Sequence, residues 1–179
     1  MSQGREDSVR EVGVVVRRSK VDNPWIDHVW TPDAILEEAP QAAPWTRLSG
    51  GDGEDFYYAG AAFIELHPSE TGNYRDNLTD GDPQVWVGLK QAEGGSEIEL
   101  VAVTADPTEG ESLFESGLIV GKSPMPAQIA SWVAAYVDAH HVERVFHKRQ
   151  RDKSGPDPRK NPGARKKTAP DGGFMGGGA

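Results

Sequence analysis

The chain has 179 residues, a formal net charge of −9, 21 glycines, 13 prolines and no cysteine. The missing cysteine excludes a disulfide scaffold, a thiolate metal site and a cysteine nucleophile, and it fits a reducing compartment. The length fits one domain with chain to spare, and no apolar run approaches the ~20 residues of a membrane helix.

The net charge hides an asymmetry. From His147 to the end stand nine Lys or Arg against three Asp, a balance of +6. The rest carries ten basic and twenty-five acidic residues, or −15. An acidic body argues against nucleic-acid binding by the domain itself. The start, Met1 to Arg10, is polar and has no apolar signal core, so no secretory signal is expected. Arg17-Arg18 is followed by Ser19-Lys20-Val21-Asp22, not by the apolar stretch of a twin-arginine signal.

Residues 1–10 are expected to fray. Val12, Val14 and Val16 then alternate in a β-branched run, which predicts a strand. A second strand is expected over His28 to Leu36, placed at an edge or bulge by Pro32. Trp45 to Leu48 reads as a short strand, Gly50-Gly51-Asp52-Gly53 as a turn, and Asp55 to Leu66 as a long strand. Tyr58, Ala62, Ile64 and Leu66 are expected on one face of it, with Tyr57, Ala59, Phe63 and His67 on the other. Pro68 to Leu78 opens a helix with Pro at its first position. Gln84 to Gln91 and Glu97 to Thr104 read as a hairpin through Gly94-Gly95, with Ile98, Leu100 and Ala102 on one face. Asp106-Pro107-Thr108-Glu109 is a helix start with an Asp cap. Pro126 to His141 is the strongest helix, with Ile129, Trp132, Val133, Tyr136 and Val137 on one stripe. The tail from 148 to 179, rich in Pro, Gly and Lys, is expected to be disordered.

These elements predict an α+β fold over residues 11–147. It has a largely antiparallel, curved sheet or partial barrel, a C-terminal amphipathic helix and two short helices.

Gly117-Leu118-Ile119-Val120-Gly121-Lys122-Ser123 has the look of a phosphate loop. It has three residues between the glycines where that loop needs four, and Pro124-Met125-Pro126 follows where a helix should start. A short strand, with Ser123 as a helix cap, is the preferred reading. Asp106, Glu109 and Glu111 form an acidic patch of the kind that holds Mg²⁺, although capping already accounts for two of them. Glu65 and His67 share a strand side, where a carboxylate orients an imidazole for proton transfer. His140, His141, Glu143 and His147 are metal-ligand types, but their spacing matches no standard site, and capping of the helix end is the plainer reading. Trp25, Trp30, Trp45, Trp86 and Trp132 are many for so small a core. His28 and Trp30 share a strand face and are candidates for an aromatic binding surface, with core packing as the alternative. The binding-surface candidates are therefore His28, Trp30, Glu65, His67, His140, His141 and Glu143. No resident metal or cofactor is expected from the residues themselves.

Several stretches taken together carry a resemblance. They are Asp27-His28-Val29-Trp30-Thr31-Pro32, Tyr58-Ala59-Gly60-Ala61, Glu65-Leu66-His67, Glu70-Thr71-Gly72-Asn73-Tyr74-Arg75-Asp76-Asn77-Leu78 and Val85-Trp86-Val87-Gly88-Leu89. Val103 to Glu111, Pro124-Met125-Pro126 and His140 to Phe146 with Lys148-Arg149 complete the set. The sequence resembles the alphaproteobacterial domain-of-unknown-function family 3305 over most of residues 11–151. Members are often labelled molybdopterin-guanine dinucleotide biosynthesis protein A and occur beside genes for molybdenum formate dehydrogenases. The family has no assigned site residues.

The resemblance implies a non-catalytic, cytoplasmic accessory or maturation protein for a molybdenum-dependent formate dehydrogenase. It would bind the apo-enzyme or its molybdopterin-type cofactor. One alternative is an enzyme of molybdopterin-guanine dinucleotide biosynthesis, with Asp106, Glu109 and Glu111 as its metal group. Against it, Arg17-Arg18-Ser19-Lys20-Val21-Asp22 follows the first strand, where the guanylyltransferase has a Gly-rich nucleotide loop. The other alternative is a nucleic-acid-binding regulator acting through the basic tail.

Overall fold

A β-branched run buries best on a pleated surface, and here it forms the centre of a sheet. The computed structural model describes residues 7–92 and 98–142. Strand β1 (Val9–Lys20) pairs antiparallel with β2 (His28–Leu36) on one side and β4 (Glu54–Glu65) on the other. Strand β3 (Thr46–Gly51) adds to β4 at the free edge. The first sheet thus runs β2-β1-β4-β3. A second sheet runs β6-β5-β7, from β5 (Gln84–Gln91), β6 (Ile98–Thr104) and β7 (Ile119–Pro124), again all antiparallel. Strand β7 lies against β2, and β6 against β4. Val12, Val14, Val16, Ile64, Val85, Val87 and Leu89 fill the space between the sheets. The fold is the expected α+β arrangement of curved antiparallel sheet and three helices; its strands divide between two sheets, and among the described residues no barrel closes.

Strand β1 starts at Val9, two residues inside the segment expected to fray. Val9 pairs with Glu65, and the Asp7 carbonyl accepts the Trp132 indole N–H at 2.9 Å. All described elements belong to one unit, residues 1–143. Glu143, Phe146, His147 and the basic segment lie outside the described residues.

Four extra residues break the strand alternation. Asp33 in β2, Leu48 in β3, Ala59 in β4 and Val101 in β6 each stand without a cross-strand partner. A bulge bends its strand and shifts the side-chain parity beyond it. Tyr58 consequently does not share a face with Ala62 and Ile64. It pairs with Val15 on the outer face, where Pro40 closes over Gly13. Likewise Val103 faces the core in place of Ala102.

Three helices complete the unit. A 3-10 turn (Pro68–Glu70) leads into α1 (Thr71–Thr79), so the expected single helix has a tighter first turn. Helix α2 (Pro107–Glu115) is capped as read: Asp106 accepts from Thr108 N–H at 2.8 Å. It ends at Gly117, φ +81°, whose N–H bonds Phe114 O while Leu118 N–H bonds Leu113 O, the paired closing bonds that favour glycine at that position. Helix α3 (Ala127–His140) buries Ile129, Val133, Tyr136 and Val137 against the core, and Trp132 lies half-buried beside them.

Ser123 does not cap α3. Pro126 holds that position, and Glu37 accepts the Gln128 N–H at 3.2 Å. Ser123 sits in β7 opposite Val85, wholly buried, and its hydroxyl has no hydrogen-bond partner. A buried hydroxyl without a partner costs about 1–3 kcal/mol. Ser123→Ala is accordingly expected to hold or raise stability, by up to about 1 kcal/mol, in urea denaturation. A loss beyond that would contradict the assignment. The burial also removes Ser123 from any phosphate chemistry.

Candidate functional site

Past Val16, wholly buried, the inner face of the first sheet emerges toward solvent at Arg18, whose side chain is 37% exposed. Arg18 pairs across β1 with Trp30 on β2 and with Asp55 on β4. Trp30 is the hub of an aromatic cluster. His28 meets it edge-on at 5.7 Å, Trp45 edge-on at 5.8 Å, and Tyr57 tilted at 5.3 Å. The Arg18 guanidinium lies 5.9 Å over the Trp30 ring and 5.4 Å over Tyr57. These are attractive edge and cation–π arrangements.

One carboxylate organises the cations. Asp55 accepts from Arg18 at 2.6 Å and from Arg47 Nε and Nη2 at 3.0 and 2.6 Å. Gly50 makes room for this: a Cβ there would stand 2.1 Å from Asp55 Oδ1 and 2.6 Å from Arg47 Nη2. The β3–β4 turn that fixes the pairing is Asp52-Gly53, with φ of 54° and 88°, the two positive values of a tight two-residue hairpin. Trp45 also has a positive φ, 67°. That conformation costs a non-glycine residue about 1–3 kcal/mol and is characteristic of functional sites.

The two guanidiniums share one carboxylate, so the cluster keeps an excess positive charge over an aromatic floor. Such a surface suits planar or anionic groups. Hydrogen bonds from Arg18 and then from Arg47 hold the Asp55 carboxyl below its usual 3.8. A carboxylate with a lowered folded pKa stabilises above the ordinary value, and the effect is lost as pH falls through the folded one. The Asp55 side-chain carboxyl carbon is expected to titrate by NMR with a midpoint below 3.8, and that midpoint to move up in Arg18→Gln. A wild-type midpoint at or above 3.8 would contradict the bridge.

The remaining predicted residues that are described lie elsewhere. Asp55 and Glu65 are ten residues apart along β4, roughly 30 Å of strand, so Glu65 and His67 sit at the far end of the sheet. No hydrogen bond or ion pair joins them. His67 donates its backbone N–H to Tyr74 Oη at 3.1 Å, and burial pushes the Tyr74 phenol up to about 12. A raised phenol pKa stabilises the fold up to the unfolded value near 10, and the effect is lost between about pH 10 and 12. Tyr74→Phe is expected to flatten that part of the alkaline stability profile.

His140 packs on Tyr136 at 4.4 Å. His141 Nε2 accepts from Arg75 at 3.0 Å, and Nδ1 contacts Thr71 Oγ1 at 3.1 Å, tying α3 to α1. The acidic patch disperses too. Asp106 Oδ1 caps α2, Oδ2 accepts from Asn73 at 3.0 Å, Glu109 accepts from Thr104 Oγ1, and Glu111 faces a cleft on the outer side of the second sheet. Among the described residues, no three His, Asp or Glu side chains come together to hold a metal.

Of the six surface candidates among the described residues, only His28 and Trp30 are in ring contact with each other. The charged partners Arg18, Arg47 and Asp55 were not anticipated. Their signal was weak: Arg18 continues the inward alternation of Val12, Val14 and Val16, but nothing local marks Arg47 and Asp55 as cross-strand neighbours.

Sequence comparison places the chain. It matches a family model described as a protein of unknown function (DUF3305) over residues 11–150. The protein is a member of this family. No curated protein and no solved structure matches it. The match spans every strand and helix of the family domain except the first two residues of β1. It also includes the Glu70–Leu78 stretch, whose Asn73, Tyr74 and Asn77 all make hydrogen bonds between elements. Among the described residues, no helix of the family domain is long and apolar enough to cross a membrane.

Proposed function

We propose that the protein is a cytoplasmic accessory factor of a molybdenum-dependent formate dehydrogenase, acting by binding the apo-enzyme or its pterin cofactor. The pathway comes from the family resemblance. The binding mode is supported by one observation: Trp30, Trp45, Tyr57 and Arg18 form a half-exposed aromatic–guanidinium surface with a strained tryptophan in it. A planar, anionic pterin suits that surface, as does an acidic loop of the enzyme. The enzymatic alternative loses ground because both Asp106 oxygens and Glu109 already have partners within the fold.

The test is a deletion strain in which molybdenum content and activity of the dehydrogenase are measured. Both are expected to fall and to be restored by the wild-type chain, but only poorly by Arg47→Gln. Normal metal content and activity in the deletion would overturn the proposal.

A further inference from the structure

A second surface lies on the outer face of the second sheet, away from the cluster around Trp30. Helix α2 crosses that face with Gly110 against the Trp86 indole. Beside this contact opens a cleft of about 340 Å³, floored by Trp86 and Val120 and walled by Phe114, Glu111 and Glu115. Phe114 is 69% exposed, an unusual place for a phenyl ring on a helix that has an apolar face to bury. Glu111 and Glu115 stand four residues apart, where like charges repel. Neither has an ion-pair partner among the described residues. Lys122 is drawn over the Trp86 ring, 5.4 Å from its centre, which leaves two carboxylates against one ammonium at the cleft.

We infer that this cleft docks an arginine-bearing segment of a partner protein. Both halves of an arginine are matched. Its stem and planar head lie on the exposed Phe114 ring, as cations do on aromatic faces. Its N–H donors reach the carboxylates one helical turn apart. The −15 of the chain before His147 favours the approach of a basic partner. Lysine offers the charge without the planar fork, so arginine should be preferred.

The experiment titrates the full-length chain with a ten-residue peptide containing two arginines, followed by calorimetry at low and high salt. Matched peptides carry lysine or glutamine instead. Expected are saturable binding of the arginine peptide, several-fold weaker binding of the lysine peptide, and at least tenfold weaker binding of the glutamine peptide. Phe114→Ala and the pair Glu111→Gln with Glu115→Gln should each lose about tenfold, and salt should weaken binding. Both sites are solvent-exposed, so the variants should fold; circular dichroism checks this. Asp138→Asn, on the exposed face of α3, should leave affinity unchanged. Equal binding of the glutamine peptide, or equal loss in Asp138→Asn, would overturn the inference. So would a wild-type dimer in sedimentation that Phe114→Ala abolishes, because a second copy would then be the occupant.

Discussion

Asn77→Ala is expected to cost about 3 kcal/mol or more, because it strands three backbone groups that a single side chain now satisfies. Asn77 is 7% exposed. Its Nδ2 donates to Gln84 O at 2.8 Å and to Ala105 O at 2.9 Å, and its Oδ1 accepts from Gln84 N–H at 3.0 Å. One amide thus fastens α1 to the start of β5 and to the joint between β6 and α2. Alanine leaves two carbonyls and an N–H without partners. Each such group costs about 1–3 kcal/mol when water cannot replace the bond. Asn77→Asp should be no better, since a carboxylate would face two carbonyl oxygens. Urea denaturation with an unchanged slope and a lowered midpoint is the expected result. A loss below about 1 kcal/mol would mean that water enters the joint and takes over the bonds.

The second large effect comes from the smallest of changes. Gly110→Ala adds one methyl, and its Cβ would stand 2.3 Å from Trp86 Cδ1 and 2.4 Å from Cγ. On helix propensity alone, alanine would gain about 1 kcal/mol. The contact reverses the sign. Trp86 is buried, so α2 must lift or the indole must turn, at a net cost of about 1–3 kcal/mol. Gly72→Ala is the control. It is also helical, but a Cβ there meets nothing within 4 Å, so it should be neutral or stabilise by about 0.5 kcal/mol. Thermal melts of the two variants should move in opposite directions. Equal shifts would show that Trp86 yields freely.

Much of the fold was legible because its signals are local. The alternation of Val12, Val14 and Val16, the stripe of α3 and the Asp106-Pro107 start each depend on a few neighbouring residues. The bulges were not legible. Ala59 and Val101 look like ordinary members of an alternating run, and only pairing with β1 and β5 makes them extra. That is why Tyr58 and Ala102 were placed on the wrong faces. The division into two sheets was hidden for the same reason: strand order is a property of pairing, not of periodicity.

The site divided in the same way. His28 and Trp30 were visible as two residues on one strand. The charged groups that complete the surface come from β1, β3 and β4, and Arg18 and Asp55 are 37 residues apart. Gly50 and the Asp52-Gly53 turn bring Arg47 onto Asp55, and no spacing rule connects them. The histidines and carboxylates near the ends of β4 and α3 looked chemical because of their type. In the fold His141 ties two helices together, between Thr71 and Arg75, and His140 packs on Tyr136 of its own helix.

The most direct measurement is calorimetric titration of the full-length protein with the metal-free formate dehydrogenase and with its pterin cofactor. Saturable binding of one of them, weakened tenfold or more in Arg47→Gln, is predicted. Binding of neither, or binding indifferent to Arg47, would contradict the account.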